Sequence, residues 1–76
     1  MDIKQIQEQL SEFASDRDWE QFHTPKNLTM ALSVEASELV EIFQWLTPEQ
    51  SSNLNDKQKK AVEEEIADVT IYLLRL

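Results

Sequence analysis

Four carboxylates arranged as two acid-x-x-acid pairs are the residues of this sequence best suited to chemistry. The first pair is Glu35 and Glu38, and the second is Glu65 and Asp68. At about 100° per residue, the first glutamate of each pair falls on the apolar stripe of its own helix, and its partner lies about 60° to one side. A single pair of this kind is usually solvated surface. Two pairs on stripes that should pack together would instead bring four carboxylates face to face.

This arrangement needs a counter-charge. Ionised carboxylates in a shared apolar environment repel one another, and taking each out of water costs on the order of several kcal/mol. The sequence places too few Lys or Arg residues nearby, whereas a bound divalent cation would supply the charge. All-carboxylate ligation selects a hard cation, Mg²⁺ or alternatively Mn²⁺, and a chain with one His and no Cys is a poor zinc site. Because Mg²⁺ is commonly held by carboxylates together with substrate phosphates, the pattern predicts a metal site for phosphoryl or nucleotidyl chemistry.

Apolar spacing and capping residues predict the helices that position these acids. Ile3, Ile6 and Leu10 follow helical spacing behind the N-cap candidate Asp2. Two Thr-Pro pairs match the preference for an N-cap followed by proline. The predicted segments are a first helix over about 3–16, a second from Thr24 and Pro25 to about Leu46, a helical connector over about 48–53, and a third main helix from about Lys57 to the end of the sequence, capped by Asn55 or Asp56.

Composition narrows both the fold and the function. Glycine is absent, which excludes the Gly-rich phosphate loops of the Walker and dinucleotide types and favours an all-α chain over tight hairpins. The net charge of −8 argues against nucleic-acid and anionic-membrane partners. No apolar run approaches the ~20 residues of a membrane span, and the first residues are polar and periodic, so we expect a cytoplasmic protein. One 76-residue domain without cysteine buries only about 60% of its unfolded surface, which predicts self-association as a dimer or tetramer.

A family resemblance covers roughly residues 3–76. The segments RDWEQFHTPKNL, SELVEIFQW and EEIADVTIYL closely resemble the dCTP pyrophosphatase branch of the MazG-like, all-α nucleoside triphosphate pyrophosphohydrolases. The resemblance implies Mg²⁺-dependent hydrolysis of a (deoxy)nucleoside triphosphate, dCTP-like, to the monophosphate and pyrophosphate. By motif match, the resemblance implies that the metal ligands are Glu35, Glu38, Glu65 and Asp68. One carboxylate would accept the proton of the attacking water, with Glu38 preferred and Glu35 as the alternative.

Aromatic side chains are candidates for holding the nucleobase. On the helical wheel, Trp45 lies beside the first acid pair and Tyr72 beside the second. The resemblance adds Trp19, which corresponds to a residue that packs around the base, and His23, which could hydrogen-bond base or phosphate. Stacking on an aromatic face contributes about 1–3 kcal/mol per base. The alternatives are plain core packing for each aromatic residue and a surface or capping role for His23.

The sequence departs from the family at its end. Family members continue into a fourth helix whose basic and amide side chains bind phosphates, whereas this sequence stops on the apolar run from Tyr72 to Leu76. We therefore expect a truncated domain of three main helices, completed by oligomerisation, with Lys26 and Arg75 as the only basic candidates near the site. Two other functions stay open: a non-enzymatic helical assembly module that pairs its acids with a basic partner, and a superfamily pyrophosphohydrolase with another substrate, such as dUTP or phosphoribosyl-ATP.

Overall fold

The backbone consists of helices and short connections. A computed structural model describes all residues, 1–76. In chain order the elements are helix α1 (Ile3–Asp16), a 3₁₀ turn (Glu20–Phe22), helix α2 (Pro25–Phe43), the single-turn helix α3 (Pro48–Ser51) and helix α4 (Asp56–Arg75). The prediction of an all-α chain with three main helices is confirmed. No helix combines the length and the apolar character needed to cross a bilayer.

Each helix begins at a side-chain cap. Asp2 accepts a hydrogen bond from the backbone N–H of Gln5, and Thr24 accepts one from Asn27. The caps of α3 and α4 are reciprocal, because the N-cap side chain and a glutamine three residues later each bond to the backbone of the other. The α4 cap is Asn55, not Asp56. Since such a cap is worth about 1 kcal/mol, the four starting points are set locally by the sequence.

The end of α2 differs from the prediction. The helix stops at Phe43 rather than near Leu46, and its last backbone bond runs from the N–H of Gln44 to the carbonyl of Val40. A proline disfavours helical geometry in the residue before it, and Thr47 is accordingly extended, with ψ 160°. The chain must therefore leave the helix early enough to reach Pro48, and it does so through a tight turn between Phe43 and Leu46. The short α3 also ends earlier than expected, at Ser51.

Helix α4 holds the other long helices together. It packs along α2, and α1 packs against it with a smaller contact. The result is elongated, 42 × 25 × 18 Å, with a radius of gyration of 14.8 Å. A compact domain of this length would have a radius of gyration of about 11 Å. Only Ala14 and Leu28 are fully buried, so most apolar side chains keep at least part of their surface exposed.

Candidate functional site

Three of the four predicted acids meet where α2 packs on α4. Carboxylate oxygens of Glu35, Glu38 and Glu65 all lie within 4.8 Å of one another. The spacing of three residues places the two α2 acids on one side of that helix, and helix packing brings in the α4 acid. Glu35 and Glu65 are half-buried, whereas Glu38 is exposed. These three residues are called the acid cluster below.

The acid cluster contains unsatisfied oxygens. One carboxylate oxygen of Glu35 and one of Glu65 are buried without a hydrogen-bond partner. A buried acceptor without a partner is costly, and a native structure has few of them. A hard cation would satisfy such oxygens, and the donor set is the all-oxygen type that Mg²⁺ prefers. The residues present therefore fit the cation that their pattern predicts.

The surroundings of the acid cluster raise its pKa values. Burial, hydrogen bonding to Glu65 and Glu38, and the charges of Glu38 and Asp68 raise the pKa of Glu35 from 4.5 to about 7. Burial also raises the pKa of Glu65, against an opposing hydrogen bond from Glu35. Without a cation, the cluster therefore retains a proton into the neutral range.

This raised pKa predicts how stability depends on pH. Between pH 4.5 and about 7, the folded protein keeps a proton on Glu35 that the unfolded chain releases. The native state thus binds more protons in this window, and its stabilisation by this group is lost as the pH rises through the window. We expect the urea midpoint of the wild type, without divalent cations, to fall relative to that of Glu35→Gln between pH 4.5 and 7.5. Parallel pH profiles for the two proteins would contradict this assignment.

Asp68 lies close to the acid cluster without belonging to it. Its charge contributes to the raised pKa values of both Glu35 and Glu65. It is exposed, and its carboxylate is outside the set of oxygens within 4.8 Å. Its side chain instead lines a neighbouring cavity. The role of Asp68 as a fourth metal ligand stays a prediction.

That cavity lies among α1, α4 and the segment around the 3₁₀ turn, and is called the aromatic cavity below. It has a volume of about 480 Å³. Most of its eleven lining residues are apolar, and they include Phe13, Trp19 and Tyr72. Glu35 and Asp68 also line it, so the cavity reaches the acidic side of the α2–α4 contact. Small-molecule sites often combine an apolar cavity with a few polar groups in this way.

The chain reversal after α1 places Trp19 at this cavity. Asp18 has a positive φ of 60°, a conformation that Asp tolerates better than most residues. The N–H of Trp19 then bonds to the carbonyl of Ala14 at 2.8 Å, and the N–H of Asp18 bonds to Ser15 at 3.1 Å, which together form a Schellman motif. The indole meets the Phe13 ring edge-on, with the centroids 5.6 Å apart.

The structure brings together some of the predicted base-binding residues. Trp19, His23 and Tyr72 line the aromatic cavity, and so does Arg75, one of the two basic candidates. Trp45 does not line it and is 85% exposed. Although α2 ends at Phe43, Gln44 keeps helical backbone angles, and the role of Trp45 in base binding stays a prediction. Lys26 is exposed and is likewise absent from the cavity wall.

Sequence reasoning missed two residues at the aromatic cavity, one in its wall and one that packs on that residue. Phe13 follows the apolar spacing of α1 and was not proposed as a site residue, yet it is 46% exposed and forms part of the cavity wall. The guanidinium group of Arg17 lies over this ring, with its central carbon 3.3 Å from the Phe13 centroid. The sequence signal for this contact was the spacing of four residues between Phe13 and Arg17, which places two side chains next to each other on a helix.

Comparison with known proteins identifies the family to which this chain belongs. No protein-family model matches the chain. A pyrophosphatase from Archaeoglobus fulgidus, known from its crystal structure, is 44% identical and superposes with a TM-score of 0.90, covering 100% of this chain and 71% of that one. This chain belongs to the MazG-like, all-α pyrophosphatase family. Within the family, dCTP pyrophosphatase 1 from Homo sapiens is 43% identical over 97% of this chain, and the Bos taurus protein is 42% identical. The chain spans 45% of the length of each of these two relatives.

Proposed function

We propose that this protein hydrolyses nucleoside triphosphates, with dCTP-like molecules as substrates, to the monophosphate and pyrophosphate in the presence of Mg²⁺ or Mn²⁺. The observation that carries the proposal is the acid cluster, with its two unpartnered buried oxygens, beside a cavity lined by aromatic rings. The relatives named dCTP pyrophosphatase 1 support the choice of substrate.

The two parts of the site suit the two parts of a nucleotide. Trp19 and Tyr72 offer ring faces or edges to a base in the aromatic cavity, whose volume of about 480 Å³ is within the range of small-molecule sites. Glu35 lines this cavity and also belongs to the acid cluster. A nucleotide with its base in the cavity would therefore direct its phosphates toward the carboxylates.

The carboxylates are proposed to have two roles, metal ligation and proton acceptance. Glu35, Glu38, Glu65 and, as a proposed fourth ligand, Asp68 would hold the divalent cation, which offsets phosphate charge and lowers the pKa of the attacking water. Glu38 is the proposed proton acceptor because its carboxylate is exposed to water. Glu35 is the alternative acceptor.

Product analysis tests the proposed reaction. The purified chain is incubated with dCTP and Mg²⁺, and pyrophosphate and orthophosphate are measured separately. We expect pyrophosphate and dCMP in equal amounts, with little turnover when EDTA replaces Mg²⁺. dUTP and phosphoribosyl-ATP serve as competing substrates. Release of orthophosphate with dCDP would contradict the proposed cleavage position, and faster hydrolysis of a competing substrate would contradict the proposed base.

We also propose that two copies of the chain associate. The accessible surface of 5968 Å² exceeds the value of about 4,800 Å² typical of a monomer of this mass by about 1,200 Å². The excess is comparable to the ~800 Å² that each partner buries in a standard interface. Met30, Val34 and Val40 on α2 are each more than half exposed. A helix that is apolar on several sides is usually packed against other protein elements on several sides, so α2 is the proposed interface between copies.

Sedimentation equilibrium tests this association. We expect the wild type to sediment as a dimer or tetramer and Val40→Glu to shift at least tenfold in dissociation constant, because it places a charge against an apolar surface. Gln5→Glu is the matched control, since it adds the same charge at an exposed position on α1. Equal effects of the two substitutions would argue for general charge repulsion and against an interface on α2.

A further inference from the structure

One hydrogen bond joins two side chains that line the aromatic cavity. Nε of Arg75, at the end of α4, donates to Nδ1 of His23, just after the 3₁₀ turn, over 3.2 Å. Both side chains are half-buried and both line the cavity. The bond joins residues 52 positions apart in the sequence and so ties the loop before α2 to the last turn of α4.

The direction of this bond determines where the imidazole proton lies. A guanidinium group has donors and no acceptor, so Nδ1 of His23 must be the acceptor. A neutral imidazole with an unprotonated Nδ1 carries its proton on Nε2. Only Nδ1 of this ring is used in a hydrogen bond within the chain. The Nε2–H group is therefore available as a donor.

We propose that Arg75 is a positioning residue that holds His23 in the Nε2–H form, so that the cavity offers a donor to an acceptor atom of the ligand. This inference rests on the proposed function, in which the cavity takes the base of a nucleotide. The acceptor would be a carbonyl oxygen or an unprotonated ring nitrogen on a base edge. A base that presented an N–H group at this point would leave two donors facing each other, which costs binding energy.

Phosphate oxygens are acceptors of the same chemistry. The base is the favoured source because Trp19 lies beside His23, with their ring centroids 6.2 Å apart, and Tyr72 lines the same cavity. Flat aromatic surroundings suit a planar ring better than a highly charged phosphate. Separate probes for base and phosphate distinguish the two sources.

The tautomer can be read directly by ¹⁵N NMR. His23 is the single histidine of the sequence, so the imidazole signals need no assignment by mutation. At pH 8, where an ordinary histidine is neutral, we expect the wild type to show an unprotonated Nδ1 and a protonated Nε2. Arg75→Met should yield a mixture of the two tautomers, and Arg75→Lys should retain much of the wild-type form. Arg17→Met is the matched control, since that arginine stacks on Phe13 instead.

Two ligands complete the test. Deoxycytidine should bind the wild type and lose up to about tenfold in affinity with Arg75→Met, the equivalent of one hydrogen bond. Inorganic triphosphate with Mg²⁺ should bind both proteins equally. A protonated Nδ1 in the wild type, or no deoxycytidine binding, overturns the inference, and so does a loss confined to triphosphate. Absence of dCTP hydrolysis would instead contradict the proposed function. The tautomer and the deoxycytidine binding would still support the role of Arg75 in positioning His23.

Discussion

Mg²⁺ at about one hundred times its dissociation constant should raise the unfolding midpoint of the wild-type protein by about 10–20 °C. Binding to the native state alone adds about 2.7 kcal/mol at that concentration. A domain of this size shifts by about 4–8 °C per kcal/mol. The cation would also satisfy the buried oxygens of Glu35 and Glu65, which have no partner within the chain. Thermal unfolding at fixed protein concentration, in EDTA and in increasing Mg²⁺, measures the shift.

The amide variant Glu65→Gln should change the unfolding temperature both in EDTA and at high Mg²⁺ concentration. Burial disfavours the charged form of Glu65 and so raises its pKa. Because the amide carries no charge, the variant should unfold in EDTA at a higher temperature than the wild type. In Mg²⁺ it should gain little, because it has lost an anionic ligand. Few single substitutions raise stability without a cation and lower it with one, so this reversal is diagnostic of a metal site.

Two further variants sharpen the metal experiment. Glu63→Gln on the same helix is the control, since this exposed residue is outside the acid cluster and should behave as the wild type does. Asp68→Asn tests the proposed fourth ligand, and Ca²⁺ serves as a second hard cation. Identical Mg²⁺ responses of the wild type and Glu65→Gln would exclude the cluster as a metal site and favour a helical assembly module.

Glu38→Gln should lower kcat for dCTP hydrolysis by about 10²–10⁴-fold, the usual contribution of a general base. Because Glu38 is exposed and its charge repels Glu35 and Glu65, its amide variant should unfold in EDTA at or above the wild-type temperature. The loss of activity could then not be attributed to unfolding. Pyrophosphate release under saturating dCTP gives kcat directly.

The concentration of Mg²⁺ separates the two roles proposed for Glu38. If it acts mainly as a ligand, excess Mg²⁺ should restore most of the activity of Glu38→Gln. If it accepts the proton, kcat should stay low at saturating Mg²⁺. Glu41→Gln is the control on the same helix, since Glu41 is exposed and outside the acid cluster. Wild-type kcat for Glu38→Gln would leave Glu35 as the proton acceptor.

Local rules predicted much of the fold and part of the site. The helix starts follow from caps within three residues of one another, which is why Asp2, Thr24, Thr47 and Asn55 could be identified from the sequence. The contact between acids on α2 and α4 also followed, because helical periodicity fixes which side chains share a face.

Features that depend on chain direction over longer distances were harder to predict. The end of α2 was expected near Leu46, whereas the approach to Pro48 ends that helix at Phe43. The bond from Arg75 to His23 joins a loop to a helix end, and no spacing rule connects them. The exposure of Phe13 likewise depends on the tertiary packing of α1, which makes only a small contact with α4.

The position of Glu35 has a consequence for how such a protein diverges. Its carboxylate belongs to the acid cluster and lines the aromatic cavity. A substitution there would change the proposed metal site and the proposed base pocket in a single step, and selection against the first change would block the second. Trp19 and His23 also line the cavity, but they come from the segment between α1 and α2 and are outside the acid cluster. New substrate preferences are therefore expected to arise by substitutions in that segment rather than at Glu35.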